Sequence, residues 1–207
     1  MRSRSGAAAP ASDVRIGSFT VSNERPLFYF AGTCSFESEE LLASVGRALK
    51  AFFKTAKANW VLKCSFDKAN RSSVRSYRGH GLTRTLEAFA RVKADLGVPM
   101  LTDVHEAGQA EAVAKVCDVL QVPAFLSRQT DLLLAVGRTG KVVNIKKGQF
   151  MAPWDVANAV AKVESTGNRS ILLTDRGTSF GYGNLVVDMR SFPIMARTGC
   201  PVLIDAT

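Results

Sequence analysis

Residues 119–146 are Val-Leu-Gln-Val-Pro-Ala-Phe-Leu-Ser-Arg-Gln-Thr-Asp-Leu-Leu-Leu-Ala-Val-Gly-Arg-Thr-Gly-Lys-Val-Val-Asn-Ile-Lys. A short apolar run, Val119–Leu120, is followed by the amphipathic segment Asp131–Arg138 and then by a second apolar run, Val142–Ile145. The β-rich runs predict strands and the segment between them predicts a helix. A strand, a helix and another strand in this order are typical of a βα unit, in which the two strands lie parallel.

The same alternation extends in both directions from this stretch and predicts a parallel α/β fold. The further predicted strands are Leu27–Ala31, Trp60–Cys64, Pro99–Thr102, Ser170–Leu173 and Val202–Ile204. The further predicted helices are Ser38–Ala51, Leu82–Leu96, Gly108–Val116 and Asp155–Glu164.

Two segments before the first predicted strand need a separate interpretation. Residues 1–13 carry Arg2 and Arg4 among Ala, Pro and Ser, without the apolar stretch of a secretory signal, so we expect a disordered leader. Val14–Val21, followed by Asn23, predicts a small hairpin that plugs the bottom of a barrel. The barrel domain is therefore expected to span residues 14–207.

The composition limits the classes of function. The chain has 207 residues, 46% of them apolar and 22% charged, and no apolar run is long enough to cross a bilayer. We therefore expect a cytoplasmic protein that does not bind membranes. The net charge of +9 comes from dispersed basic residues that are not interleaved with aromatic ones, which favours small phosphorylated ligands over nucleic acid.

Known phosphate and redox motifs are missing from the sequence. There is no GxGxxG after the first strand and no GxxxxGK[ST], so dinucleotide-binding and P-loop folds lose their main support. The glycine-rich stretch Gly177–Gly183 is interpreted as a mobile loop. The four cysteines are widely spaced without a CxxC pair, which argues against disulfides and a zinc knuckle.

Polar residues gather at the ends of the predicted strands, and in a TIM barrel all these ends meet at one catalytic face. Because the cations dominate, the ligand should be an anion. The residues are Cys34, Lys63, Ser65, Asp103, Gln121, Lys146, Asp175, Arg176, Asp205 and Thr207, with Lys68 and Arg71 close by in the sequence.

Each of these residues also has an ordinary structural interpretation. A lysine at a strand end is often only solvated, and Asp103 could cap the following helix. Asp175 could pair with a neighbouring cation, and Cys34 could be a small buried apolar side chain. The two histidines, His80 and His105, lack a motif partner and are expected to be structural.

Several long motifs nevertheless resemble one family, the 3-deoxy-D-manno-octulosonate-8-phosphate synthases. The resemblance runs from about Phe28 to Thr207. The chain resembles the related aromatic-pathway synthases less, because Ala69–Ser73 is typical of enzymes that use a pentose phosphate. The matching segments are 63–73, 102–106, 121–131, 144–150, 175–177, 180–182 and 184–188.

The resemblance implies a transferase of lipopolysaccharide Kdo biosynthesis with a (β/α)8 barrel, of which this chain covers roughly seven strands. The reaction would condense phosphoenolpyruvate with D-arabinose 5-phosphate and water, giving 3-deoxy-D-manno-octulosonate 8-phosphate and phosphate. It also implies a homotetramer without an organic cofactor. The alternative is a catalytically dead, truncated barrel that binds only phosphorylated anions or a partner.

Residue roles follow from the same resemblance. Lys63, Lys68 and Asp103 would be catalytic. Phosphoenolpyruvate would be bound by Lys63, Lys68, Gln121, Lys146 and Arg176. Arabinose 5-phosphate would be bound by Asn70, Arg71, Ser72 and Arg128, the last contributed across a subunit contact.

The resemblance also implies a metal. Members of the family with cysteine at the position of Cys34 depend on a divalent metal, here zinc, iron or manganese. In the family a histidine ligand would follow Asp205–Thr207 at once, and this chain ends there, so three of the four ligands are expected to be missing. Residues 1–207 alone are therefore expected to bind metal weakly and to lack turnover.

Overall fold

The computed structural model describes residues 12–207. Nearly all of the leader expected over residues 1–13 therefore lies outside the described residues. Ser12 and Asp13 are described: the Ser12 amide donates to the Gly199 carbonyl, and Asp13 forms an ion pair with Arg25. No helix in residues 12–207 combines the length and the apolar character that crossing a membrane would require.

Within residues 12–207 the chain forms eleven strands and six α-helices. The strands are β1 (Val14–Ile16), β2 (Phe19–Val21), β3 (Phe28–Ser35), β4 (Asn59–Ser65), β5 (Met100–Asp103), β6 (Val119–Val122), β7 (Val142–Lys146), β8 (Ile171–Asp175), β9 (Thr178–Ser179), β10 (Leu185–Val186) and β11 (Val202–Ile204). The helices are α1 (Glu39–Ala56), α2 (Leu82–Leu96), α3 (Ala110–Ala114), α4 (Thr130–Arg138), α5 (Val156–Glu164) and α6 (Ser191–Ala196). Short 3-10 turns cover Ala107–Gln109, Ala124–Leu126 and Pro153–Asp155.

Seven of these strands form one parallel sheet whose order follows the chain: β3, β4, β5, β6, β7, β8, β11. Helices connect successive strands, as parallel pairing requires. The curled sheet is a partial TIM barrel, which confirms the predicted fold class.

Two apolar layers hold the sheet in place. The larger lies between the strands and the helices and includes Leu62, Phe89 and Leu133. The smaller fills the bottom of the barrel interior, where strand residues such as Leu101 and Leu172 pack against the β1–β2 hairpin. That hairpin contributes three buried side chains, so the predicted plug is confirmed: Val14, Ile16 and Val21.

Most helices begin and end close to their predicted positions, but α1 continues to Ala56, beyond its predicted end at Ala51. The α1 helix starts after Ser38, whose hydroxyl accepts a hydrogen bond from the Leu41 amide at 3.1 Å, and ends at Lys57 in a left-handed conformation. The α2 helix matches its prediction at both ends.

The prediction that the first strand ends at Ala31 is wrong. Its pairing with β4 continues through Gly32 and Thr33, with a bulge before Ser35. Gly32 permits this because it lacks a side chain: an added Cβ would lie only 2.0 Å from the Lys63 carbonyl oxygen. As a consequence Cys34 lies within the strand and does not follow it.

The interpretation of Gly177–Gly183 as a loop only is also wrong in part. Strands β9 and β10 pair antiparallel on either side of Gly181 and Gly183, both of which have positive φ angles. The segment is a small hairpin at the carboxyl end of β8, with an irregular tip.

Candidate active site at the barrel mouth

The interior of the partial barrel changes from apolar to polar towards the carboxyl ends of the strands. On β5, Leu101 belongs to the lower apolar layer, and Asp103 lies two residues further on. On β6, Val119 and Gln121 show the same change. Side chains two apart on a strand face the same side, so these polar groups lie above the apolar layer. We call this polar end the barrel mouth, defined by the carboxyl ends of the seven parallel strands.

Asp103 lies at the centre of a buried hydrogen-bond network at the mouth. The Ser65 hydroxyl donates to one of its carboxylate oxygens at 2.7 Å, and the Gln121 side-chain amide donates to the other at 2.5 Å. The register of the sheet places Asp103 directly opposite Gln121. Both oxygens are therefore engaged, and Asp103 does not cap the following helix.

The network continues through two residues that the sequence analysis missed. The Asn144 amide donates to the Gln121 carbonyl oxygen at 2.9 Å, and the Thr174 hydroxyl donates to Asn144 at 2.8 Å. The hydrogen bonds therefore form a chain across neighbouring strands, from Thr174 through Asn144 and Gln121 to Asp103. Asn144 could have been identified from the sequence, because it is a polar residue two positions before Lys146 on a strand that is buried on both faces.

Four cations surround this network. The Lys68 ammonium donates to the Ser65 hydroxyl at 2.9 Å, so Lys68 reaches Asp103 through one intermediate. Lys63 is half-buried on β4. Lys146 forms an ion pair with Asp205 across the mouth. Arg176 is exposed, and its Nε donates to the Thr207 carbonyl at 2.9 Å.

The Lys146–Asp205 pair changes the electrostatics of its carboxyl group. Burial opposes the ionisation of Asp205, but hydrogen bonds from Lys146 and Thr207 outweigh it and lower the pKa of Asp205 to about 2. The mouth therefore holds carboxyl groups among the cations, yet it keeps an excess of positive charge that suits an anionic ligand.

The residues assigned to the pentose phosphate lie together on one loop. Asn70, Arg71 and Ser72 are exposed between β4 and α2. The Arg71 Nε donates to the Tyr77 carbonyl at 3.2 Å, and the Tyr77 hydroxyl donates to the Phe36 carbonyl at 2.5 Å. The loop is thereby anchored near the carboxyl end of β3.

Arg128 lies apart from that loop. It follows the 3-10 turn Ala124–Leu126 and lines a small cavity with residues of α5, including Asn158 and Lys162. Its carbonyl accepts a hydrogen bond from the Lys162 ammonium at 3.0 Å. The described contacts do not bring Arg128 to the other pentose-phosphate residues, so its part across a subunit contact stays a prediction.

Asp175 lies behind the mouth and not in it. Its Oδ1 is 3.3 Å from the Lys147 ammonium, and both side chains are buried. The predicted pairing of Asp175 with a neighbouring cation is therefore confirmed.

Cys34 is the exposed cysteine of the four, so the interpretation of Cys34 as a buried apolar residue is wrong. Burial raises the pKa of Cys64 to about 11 and that of Cys117 to about 12, which keeps those thiols protonated. Within residues 12–207 no three His, Cys, Asp or Glu side chains are grouped so that they could hold a metal ion. The described residues therefore do not form a metal site around Cys34 by themselves.

Comparisons with known proteins agree with this geometry. A family model described as the DAHP synthetase I family matches residues 9–207. The chain is 55% identical over 194 residues to the 2-dehydro-3-deoxyphosphooctonate aldolase of Syntrophotalea carbinolica, which covers 94% of this chain and 70% of that protein. It is 56% identical over 195 residues to the protein of the same name from Nitrobacter winogradskyi, covering 94% of this chain and 68% of that one.

A third relative matches almost the whole chain. The 2-dehydro-3-deoxyphosphooctonate aldolase of Nitrobacter hamburgensis is 55% identical over 205 residues, covering 99% of this chain and 71% of that protein. The family match spans the seven strands and every residue placed at the mouth. With its curled parallel sheet and cationic barrel mouth, the chain belongs to the DAHP synthetase I family.

Proposed function

We propose that this protein condenses phosphoenolpyruvate with D-arabinose 5-phosphate and water to give 3-deoxy-D-manno-octulosonate 8-phosphate and inorganic phosphate. The observation that carries the proposal is the set of four cations, Lys63, Lys68, Lys146 and Arg176, around a buried Asp103–Gln121 pair. The relatives' shared name, 2-dehydro-3-deoxyphosphooctonate aldolase, describes the same product.

Phosphoenolpyruvate fits the charge of the mouth. It carries a carboxylate and a phosphate on three carbons, and each group needs its own cationic donors. In the proposed complex Lys146 and Arg176 bind the phosphate, because a guanidinium can donate two parallel hydrogen bonds while a lysine acts as a point charge. Lys63, Lys68 and Gln121 complete the binding of this substrate.

The proposed reaction forms one carbon–carbon bond. C3 of the enolpyruvate attacks the aldehyde carbon of the sugar, whose oxygen takes up a proton. Water then adds to C2 and loses one proton, which gives a hemiketal phosphate. The phosphate leaves with cleavage of the bond between C2 and its bridging oxygen, the remaining C2 hydroxyl gives its proton to the departing phosphate, and C2 becomes the ketone. Positioned cations stabilise the charge that develops during these steps, and Asp103 holds the orientation of Ser65 and Gln121.

The pentose phosphate is proposed to bind at the loop that carries Asn70, Arg71 and Ser72. All three side chains are exposed at the carboxyl end of β4, and the loop backbone is fixed to the core through Tyr77. Arg128 of a neighbouring subunit is proposed to contribute to the same site in a homotetramer. A cytoplasmic location accords with both substrates.

We further propose that Cys34 is a ligand to a divalent metal ion such as zinc, iron or manganese. An exposed thiol at the end of β3 suits zinc and iron in particular, but one thiolate does not hold such an ion tightly, because stable sites use three or four protein ligands. None of the steps above passes through a metal.

The test is a product assay on the native protein. Phosphoenolpyruvate and arabinose 5-phosphate are mixed with enzyme, and both phosphate release and the mass of the eight-carbon product are measured. An aldose phosphate one carbon shorter is the control substrate and should react much more slowly. Equal rates with the shorter sugar would contradict the assignment. Binding of phosphoenolpyruvate without any product would favour the alternative, a barrel that only binds phosphorylated anions.

A further inference from the structure

Lys147 is a buried lysine to which the proposed chemistry gives no role. Its side chain is 1% exposed, and its ammonium is surrounded by five oxygens. The carbonyls of Gly148 and Gly177 lie 3.2 Å away, the Met151 carbonyl 3.4 Å, the Thr178 hydroxyl 3.2 Å and the Asp175 carboxylate 3.3 Å. An ammonium taken out of water requires such compensation, so this arrangement holds Lys147 in one place.

Asp175, the charged partner, is fixed from two further sides. Its Oδ1 accepts the Gly177 amide at 2.8 Å, and its Oδ2 accepts the Ser191 hydroxyl at 2.6 Å. Its side chain is 2% exposed. The pair therefore connects three segments: the turn after β7, the hairpin after β8 and the start of α6.

The pair lies directly behind two residues of the proposed phosphate site. Lys147 follows Lys146 in the chain, and Asp175 precedes Arg176. Consecutive residues at a strand end point to opposite faces, so Lys146 turns into the mouth towards Asp205 while Lys147 turns away from it. The strands β7 and β8 are neighbours, and the Lys147 amide donates to the Thr174 carbonyl at 2.7 Å.

We propose that Lys147 and Asp175 are positioning residues that set the distance between Lys146 and Arg176 and so determine the affinity for the phosphoenolpyruvate phosphate. The inference rests on the proposed function of the mouth. Small displacements of positioned groups reduce substrate affinity strongly. The pentose-phosphate loop follows β4 and is held through Tyr77 to Phe36, near the carboxyl end of β3.

A role in stability alone must be separated from a role in positioning. Removing only one partner leaves a buried charge uncompensated and destabilises the protein, whereas neutralising both partners avoids that penalty. The test variant is therefore Lys147→Met with Asp175→Asn, since Asn keeps an acceptor for the Gly177 amide. The control is Lys93→Met with Asp118→Asn. It neutralises a 2.8 Å ion pair at the amino end of β6, on the side of the sheet opposite to the mouth.

The measurements on the native protein are KM and kcat for each substrate, the Kd of phosphoenolpyruvate by calorimetry, and circular dichroism for folding. The folded test variant should show at least a tenfold increase in KM and Kd for phosphoenolpyruvate, with KM for arabinose 5-phosphate within twofold. The control variant should keep KM for both substrates within twofold of the value for the unmodified protein. A folded test variant whose phosphoenolpyruvate KM and Kd stay within twofold would overturn the inference.

A second variant covers the case in which the double variant does not fold. Lys147→Arg keeps the charge, but a planar guanidinium cannot occupy the position of an ammonium among the same five oxygens. A raised phosphoenolpyruvate KM with an unchanged pentose-phosphate KM is expected again, and unchanged values for both would overturn the inference. If the native protein binds phosphoenolpyruvate without turnover, the proposed function fails while Kd still decides the inference. If it does not bind phosphoenolpyruvate at all, both are overturned.

Discussion

At the scale of single residues, the cations of the mouth differ in how firmly the protein holds them. Lys146 is paired with Asp205, and Lys68 is hydrogen-bonded to Ser65, so their positions are set before any ligand binds. Arg176 is exposed and bonded only to a backbone carbonyl among the described contacts. Its guanidinium is therefore available to an incoming phosphate.

Removing this guanidinium should weaken the binding of phosphoenolpyruvate. We expect Arg176→Ala to cost about 2–4 kcal/mol in kcat/KM for phosphoenolpyruvate, because the charged donor is lost from a site that the substrate desolvates. The control is Arg47→Ala, which removes an exposed arginine of α1 that pairs with Asp95 at 3.5 Å. Steady-state kinetics of both variants provide the measurement, and an unchanged value for Arg176→Ala would contradict the assignment.

Arg71 should instead govern the pentose phosphate. Its side chain lies on the exposed loop after β4, where its guanidinium can reach solvent while Nε holds the Tyr77 carbonyl. We expect Arg71→Ala to reduce the preference for arabinose 5-phosphate over unphosphorylated arabinose by at least tenfold and to leave KM for phosphoenolpyruvate within twofold. The two sugars are compared in kcat/KM. A variant that retains the full preference would show that Arg71 does not bind the phosphate.

Cys34 should determine the metal content of the native protein. We expect Cys34→Ser to lower the metal bound per subunit, because it removes the thiolate ligand. The control, Cys200→Ser, alters a buried cysteine whose pKa is raised by burial. Elemental mass spectrometry after dialysis gives the metal content of both variants. Equal metal content in Cys34→Ser and the unmodified protein would mean that Cys34 is not a ligand.

Single residues also show how far the sequence could predict the site. Asp103, Gln121 and Lys146 were identified because they stand at strand ends, where barrel folds place their chemistry. Asn144 and Thr174 were missed because they precede the strand ends, and only the register of the sheet shows that their side chains continue the network. The buried position of Lys147 was equally hidden, since a lysine next to a strand end is usually solvated.

At the scale of elements, periodicity located all seven parallel strands, and the errors have local causes. Strand β3 was predicted too short because Gly32 interrupts the apolar pattern without interrupting the pairing. Helix α6 was missed because it has only six residues and contains Pro193, which normally signals the end of a helix. The β9–β10 hairpin was obscured by its glycines.

The close approach of β3 and β4 at Gly32 leads to a prediction for this pair of strands. A Cβ at this position would overlap the backbone of Lys63, which cannot move without disturbing the sheet. We expect Gly32→Ala to lower the free energy of unfolding by about 3 kcal/mol, the upper part of the range for overpacking. Urea denaturation provides the measurement.

Gly108→Ala is the matched control for that experiment. A Cβ at Gly108 meets no atom within 4 Å, and the backbone there has no positive φ. Its urea midpoint should stay close to that of the unmodified protein. A Gly32→Ala variant with the same midpoint as the control would show that β3 can move away from β4 without cost.

At the scale of the whole molecule, the partial barrel separates its two tasks along the strand axis. The lower interior is closed by the β1–β2 hairpin and is apolar, so it contributes to stability through burial. The upper interior carries polar and charged groups that burial disfavours, and the protein retains them through hydrogen bonds that end on Asp103 and through the ion pair of Lys146 with Asp205. Stability should therefore depend on pH through groups near the mouth.

His105 is such a group, since its ring packs against Phe66 and its Nδ1 is buried without a hydrogen-bond partner among the described residues. Burial lowers the pKa of His105, and the nearby carboxylates of Asp103 and Asp67 offset this effect only in part. The unfolded chain therefore binds a proton more readily near the ordinary pKa of about 6.5, so the free energy of unfolding should fall as the pH drops from 7.5 to 5.5. His105→Gln should weaken that dependence, because it removes the buried imidazole. Urea denaturation at both pH values is the measurement, and an unaltered pH dependence in His105→Gln would mean that other groups cause it.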